Sequence, residues 1–263
     1  MSPVIFLLSA LAPFVSSFPH PHKPPFFALA GDSTTAIQSS GGGGWGNGFL
    51  SVLKPPASGV NLGHDGATTV SFVAGGDWDS TLSYVRNHSA EYDCYVTIQF
   101  GHNDQKPAAN ISLAEYTTNL ESLAKDVFKA HATPILVTPL SRRGYDNSTP
   151  PMIVENLAQQ RTQTIAAAKA VHAPWIDLNL ASQTYLDAIG QADAWTYNRI
   201  PNDTTHLNNE GGLVFGTLVA SLISKRSGPE PQLRRWFDLN ETIVRDLQEG
   251  MYVWPGTCSE EFC

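Results

Sequence analysis

The chain has 263 residues, of which 42% are hydrophobic and 15% charged, an ordinary balance for a protein that buries a full core. That length suits one large domain or two small ones and supports a core without disulfide staples. A formal charge of −8 excludes the basic field that nucleic-acid binding needs, and weighs mildly against a tight grip on a polyanion.

The apolar run from Val4 to Val15 has the length of a secretory signal core and is too short to span a bilayer. Val15 and Ser17 fit the small residues that precede signal cleavage, although no Lys or Arg precedes the run. Residues 1–17 are therefore expected to be a signal peptide and the protein to be secreted. A buried core helix is the rival reading, and Pro3, Pro13 and the FPHPHKPP stretch fit it poorly. Residues 18–25 form a Pro/His-rich linker, and 26–263 are expected to make one domain with a C-terminal tail.

Beyond the linker the pattern switches repeatedly between short apolar runs and helical stretches. Phe26 to Ala30 reads as a strand ended by Gly31, and the Gly-rich loop from Gly41 to Gly44 leads into a short helix over 45–53. A short strand over 60–62, a helix over 77–86 and a strand over 95–100 follow. Ser112 and Glu115 make a capping-box pattern ahead of a helix that aligns Leu113, Tyr116, Leu120, Leu123 and Val127 on one face. The fourth strand covers 135–138, a helix 151–171, the fifth strand 175–178, and a long apolar helix 209–225. A short helix over 242–247 is expected in the tail. Strands alternating with helices imply a parallel sheet covered on both faces, and right-handed crossovers favour one doubly wound sheet. Ligands of such sheets sit beyond the carboxyl ends of the strands.

Polar motifs fall at those ends. Gly31-Asp32-Ser33-Thr34 follows the first strand, where Ser33 would stand on a strand-to-helix turn with a helix N-terminus behind it. Asp203-Thr204-Thr205-His206 lies in the loop before the last long helix. A His with an Asp three residues earlier can take a proton from a serine while the carboxylate fixes the tautomer. Asn103, in the GHND run that ends the third strand, offers a side-chain amide to a developing oxyanion. Gly66, after the second strand, offers a close backbone N–H. Each motif alone reads equally well as a turn. Their conjunction supplies a nucleophile, a base, an orienting acid and three oxyanion donors, which is a complete acyl-transfer set.

GDS at 31–33, Gly66, GHND at 101–104 and DTTH at 203–206 resemble the four sequence blocks of the SGNH (GDSL-type) hydrolases. ALAGDST, the Gly-rich loop before GWG at 44–46, and QFGHND resemble the rhamnogalacturonan acetylesterases of that superfamily, over roughly residues 26–225. The resemblance implies a three-layer α/β/α sandwich on a five-stranded, mostly parallel, flavodoxin-like sheet. It implies a catalytic triad of Ser33, Asp203 and His206, and an oxyanion hole from the N–H groups of Ser33 and Gly66 with the Asn103 side chain. The implied activity removes acetyl groups from a plant cell-wall polysaccharide: rhamnogalacturonan first, with acetylxylan or broad-specificity esterase or lipase action as alternatives. Acetylated polysaccharide and water would be its only partners, with no cofactor, nucleic acid or membrane, and the chain a monomer. Two departures bear on the substrate: Thr35 stands where that branch often has Met, and the second block, HDGATT, lacks the Arg that often follows its Gly.

Other assignments complete the expectations. Asn87, Asn110, Asn147 and Asn240 are candidate glycosylation sites, whereas the sequon at Asn202 adjoins Asp203 and is expected to stay unmodified. Cys258 and Cys263 suit a small disulfide loop. Cys94 reads as a buried free thiol, with a bridge to the tail as the alternative. Arg142 and Arg143 follow the fourth strand at the ligand edge, either to meet a uronate carboxylate or as solvated loop charges. A metal site at His64, His102 and His206 lacks any established ligand spacing. A catalytically silent carbohydrate-binding protein would show an aromatic platform, but Trp45, Trp78, Trp175, Trp195 and Trp236 are scattered.

Overall fold

The structure, a computed structural model, describes residues 23–225 and 227–255. The signal segment, most of the linker, and Cys258 and Cys263 lie outside the described residues.

Five strands, β1 (Pro25–Gly31), β2 (Ser58–Asn61), β3 (Asp93–Gln99), β4 (Thr133–Val137) and β5 (Trp175–Ile176), form one sheet in the order β2-β1-β3-β4-β5. Every pairing is parallel. Parallel strands are buried on both faces, so their sequences run apolar without alternation. β1 is the clearest case: all seven residues are buried, with Phe27 and Leu29 on one face and Phe26, Ala28 and Ala30 on the other. Each large side chain so buried contributes roughly 1.5–3 kcal/mol of transfer free energy.

The first face is covered by α1 (Gly46–Ser51), α6 (Leu178–Trp195), α7 (Asn209–Ser224) and α8 (Glu241–Glu249), through Phe49, Tyr185, Phe215 and Leu247. The second face is covered by α2 (Thr69–Ala74), α3 (Asp77–His88), α4 (Leu113–Lys129) and α5 (Ala158–Ala170), through Phe72, Val85, Leu120 and Ala167. This is the three-layer α/β/α arrangement expected. The Cys94 thiol is free and buried under the second layer, where burial raises its pKa.

The elements differ from the sequence expectation in several places, and α2 was absent from it. Residues 151–157 do not join α5, because Ile153 pairs across an isolated bridge with Tyr145 and donates its N–H to Asp187. β5 stops at Ile176, because the next residue, Asp177, caps α6 by accepting from Leu180 N. That helix, which bends at Gly190, was absent from the sequence expectation. Ser112 does cap α4, accepting from Glu115 N at 3.1 Å.

The order 2-1-3-4-5 reverses direction between β1 and β3. At such a switch point the connections leave to opposite sides and open a crevice at the carboxyl ends. The GDS and GHND segments are the continuations of those two strands.

Candidate active site

Ser33 leaves β1 on a single tight turn, closed by Thr35 N and Ala36 N donating to Asp32 O at 3.0 and 3.1 Å. The expected helix does not continue from it. The chain folds back instead, and Gly43 N, Trp45 N and Gly44 N donate to Ser33 O, Thr34 O and Ala36 O. The turn is held from beneath by Gln99, the last residue of β3. Its amide donates to Thr34 Oγ1 at 2.5 Å and accepts from the Trp45 indole N–H.

The 203–206 loop delivers the imidazole. His206 Nε2 lies 2.9 Å from Ser33 Oγ, and His206 Nδ1 lies 3.0 and 3.2 Å from the two oxygens of Asp203. Asp203 Oδ1 also accepts the N–H groups of Thr205 and His206, and Oδ2 accepts from Arg199 Nε at 3.1 Å. Burial alone would raise the Asp203 pKa. The hydrogen bonds and charge of His206 and the Thr205 N–H outweigh it, so the carboxyl sits below its ordinary range. An ionised Asp203 accepting at Nδ1 leaves Nε2 free to accept from the serine.

Gly66 has φ +77°, a conformation that favours glycine, and its neighbour Ala67 presents its carbonyl to Asn103 Nδ2 at 2.9 Å. This bond ties the second block to the end of β3. Asn103 Oδ1 accepts from Lys106 Nζ at 2.6 Å, which fixes the amide with its NH₂ toward Ala67 O. The main-chain N–H groups of Ser33 and Gly66 donate to no other described residue.

Beneath Ser33 is a buried polar pair. Asp32 Oδ1 accepts from Thr34 N and Oγ1, and Asp32 Oδ2 faces His102 Nδ1 at 3.5 Å. Burial lowers the His102 pKa against the pull of Asp32. His64, the third histidine weighed as a metal ligand, pairs with Asp77 at 2.9 Å. No group of three His, Cys, Asp or Glu side chains among the described residues is placed to hold a metal ion.

The two arginines correct the sequence reading, which took them as uronate contacts or solvated loop charges. Arg143 is completely buried, its Nη2 donating to His206 O at 2.6 Å and its Nε to Asn198 Oδ1 at 2.6 Å. Its main-chain N–H donates to Thr204 O at 2.8 Å, and burial pushes its guanidinium pKa down to about 10. Arg143 is therefore a brace under the 203–206 loop and reaches no substrate. Arg142 is part-buried, donating to Thr205 Oγ1 at 3.1 Å and Asn156 Oδ1 at 2.9 Å. Of the candidate glycosylation sites, Asn87, Asn110 and Asn147 are exposed, and Asn240 caps α8 through its Oδ1.

Residues missed from sequence are Gln99, Lys106, Arg199 and Asp65. Asp65 lies across Gly42 from Ser33: a Cβ on Gly42 would come within 2.1 Å of Asp65 Oδ1 and 2.9 Å of Ser33 Cβ. Lys106 alone had a readable signal, three residues after Asn103 in the same turn.

The chain is 30% identical over 222 residues to rhamnogalacturonan acetylesterase RhgT of Bacillus subtilis, covering 79% of this chain and 93% of that protein. Among solved structures, the Bacillus subtilis protein YxiM matches with a TM-score of 0.67 at 23% identity, over 79% of this chain and 59% of that one. Axe2, an acetylxylan esterase from Geobacillus stearothermophilus, matches with a TM-score of 0.54 at 19% identity, over 76% of this chain and 92% of that one. These two likenesses are of fold. The model of the GDSL-like lipase/acylhydrolase family matches residues 29–212, the span that holds all four polar blocks, and the chain belongs to that family of carboxylic ester hydrolases.

Proposed function

We propose that this is a secreted acetylesterase acting on plant cell-wall polysaccharide, with rhamnogalacturonan as its substrate and Ser33, His206 and Asp203 as its triad. The observation that carries the reading is the 2.9 Å contact between Ser33 Oγ and His206 Nε2, with Asp203 behind the ring. Ser33 attacks the acetyl carbonyl while His206 takes its proton. The oxyanion is met by the N–H groups of Ser33 and Gly66 and by the Asn103 amide. His206 returns the proton to the departing sugar oxygen, and water repeats the attack to release acetate.

The likeness to RhgT supports rhamnogalacturonan as the polymer. Asp65 favours a second reading, a neutral acetylated polymer such as acetylxylan, because a carboxylate beside the nucleophile repels uronates. Acetate release from acetylated rhamnogalacturonan, acetylxylan and a lipid ester, wild type beside Ser33→Ala, decides between them. Release from rhamnogalacturonan that disappears in Ser33→Ala is expected. Equal activity in Ser33→Ala would remove the mechanism, and preferential action on acetylxylan would replace the substrate. Export rests on the apolar run of residues 4–15, and sequencing the N-terminus of the secreted protein tests it.

A further inference from the structure

Beside the candidate active site, on the far side of Arg142, lies a polar cavity of about 360 Å³ between the N-termini of α4 and α5. Its wall includes the side chains of Gln105, Asn156 and Gln160, the carboxylate of Glu155, and an apolar strip of Ile111 and Leu113. Two features leave this cavity incomplete as protein. Gln160 is 6% exposed, yet its amide makes no hydrogen bond to any described residue. The stem is packed away while the amide faces the cavity, where a ligand's hydroxyls can meet it. In addition, α5 begins without a side-chain cap, so its first N–H groups also lack protein acceptors.

The cavity is joined to the catalytic loop by short contacts. Arg142 Nε donates to Thr205, the neighbour of His206, and Arg142 Nη1 to Asn156 on the cavity wall. With its amide oriented by its neighbours, Gln105 accepts from Arg142 Nη1 and donates to Asn156 O, both at 2.8 Å. Gln160 packs its Cβ and Cγ against Gly101, two residues before Asn103. Two hydrogen bonds and the width of one guanidinium thus separate the loop of the general base from the cavity.

We infer that this cavity is a subsite for a neutral sugar ring of the polymer chain whose neighbouring unit carries the acetyl ester. Amides donate and accept together, as sugar hydroxyls do. Glu155 disfavours a uronate and no cation among the described residues lines the wall, while Ile111 and Leu113 suit the C–H face of a ring. In rhamnogalacturonan, where uronate and rhamnose alternate, an acetylated uronate at Ser33 brings a rhamnosyl unit to the next position. The inference rests on the polysaccharide reading above but is read out separately from catalysis.

The test is calorimetric titration of the protein with a de-esterified rhamnogalacturonan oligosaccharide, beside a homogalacturonan oligosaccharide. Gln160→Leu removes the amide but keeps the packing on Gly101, and Ala158→Trp, on the cavity rim, fills the space from an exposed position. Each is expected to weaken binding of the alternating oligosaccharide about three- to tenfold, the size of one to two lost hydrogen bonds. The ratio of kcat/KM on the acetylated oligosaccharide to that on 4-nitrophenyl acetate should fall by the same factor. Unchanged binding in both variants, or equal wild-type affinity for homogalacturonan, overturns the subsite. Binding that behaves as expected in a protein unable to cleave either ester would sink the esterase reading and leave the subsite standing.

Discussion

Arg143→Met removes the cation buried beneath the 203–206 loop while keeping most of its volume. Asn198 Oδ1 loses its 2.6 Å donor in a part-buried setting, whereas His206 O loses one at 2.6 Å and keeps the Arg199 N–H at 3.0 Å. An orphaned buried acceptor costs about 1–3 kcal/mol, and one such acceptor is left here. Relief from burying the guanidinium, whose pKa is pushed down to about 10, acts in the opposite sense and favours the lower half of that range. A loss of about 1–2 kcal/mol corresponds to a fall in Tm of roughly 2–8 °C for a domain of this size. Because the loop also aims His206 at Ser33, kcat should fall about tenfold or more on every ester, small or polymeric. Thermal melts and kcat on 4-nitrophenyl acetate and on acidic polymer measure both effects. An unchanged Tm with a loss confined to the acidic polymer would refute the bracing role and restore Arg143 to the substrate.

Asn103→Ala should lower kcat on the order of a hundredfold with folding intact, and Lys106→Met, which only frees the amide, about three- to tenfold. Steady-state kinetics on one small ester compares the two, and a larger effect at Lys106 would contradict the assignment. Gly42→Ala should abolish most activity, since its Cβ would meet Asp65 at 2.1 Å and Ser33 Cβ at 2.9 Å. An active Gly42→Ala enzyme would mean the glycine loop does not bear on the nucleophile. For pH, burial raises and the contacts with His102 and Thr34 lower the Asp32 pKa, with a net fall below the ordinary 3.8. A depressed folded-state pKa gives stability that is present above the unfolded value and lost as pH falls through the folded one. Asp203 adds a contribution of the same sign. Tm should therefore drop below about pH 4, and Asp32→Asn should flatten that drop; an unaltered pH slope in the variant would count against an ionised Asp32.

What could be read from the sequence divides along a physical line. The strands announced themselves because a parallel sheet buries both faces, and Phe26 to Ala30 is apolar throughout. Ser33, Asn103 and the Asp203–His206 pair were legible because acyl transfer demands those residue types, and because the strand runs stop abruptly at GDS and GHND. The helix over 178–195 was hidden, since its apolar start at Leu178 continues the strand pattern and only Asp177, acting as a cap, marks the change. Arg143 was misread for a deeper reason. A cation in a loop after a strand looks solvated unless its acceptors are known, and here the main one is a main-chain carbonyl 63 residues away. Every residue carries a carbonyl, so an acceptor of that kind leaves no mark on the sequence. The same holds for the Ala67 carbonyl that takes the Asn103 amide and for the Thr204 carbonyl that takes the Arg143 N–H. The groups that would do chemistry in this site are thus written in residue identity, whereas the groups that aim them are largely main chain. Substitutions meant to redirect the enzyme should leave the second set alone, and the cavity wall beyond Arg142 offers side chains outside that set.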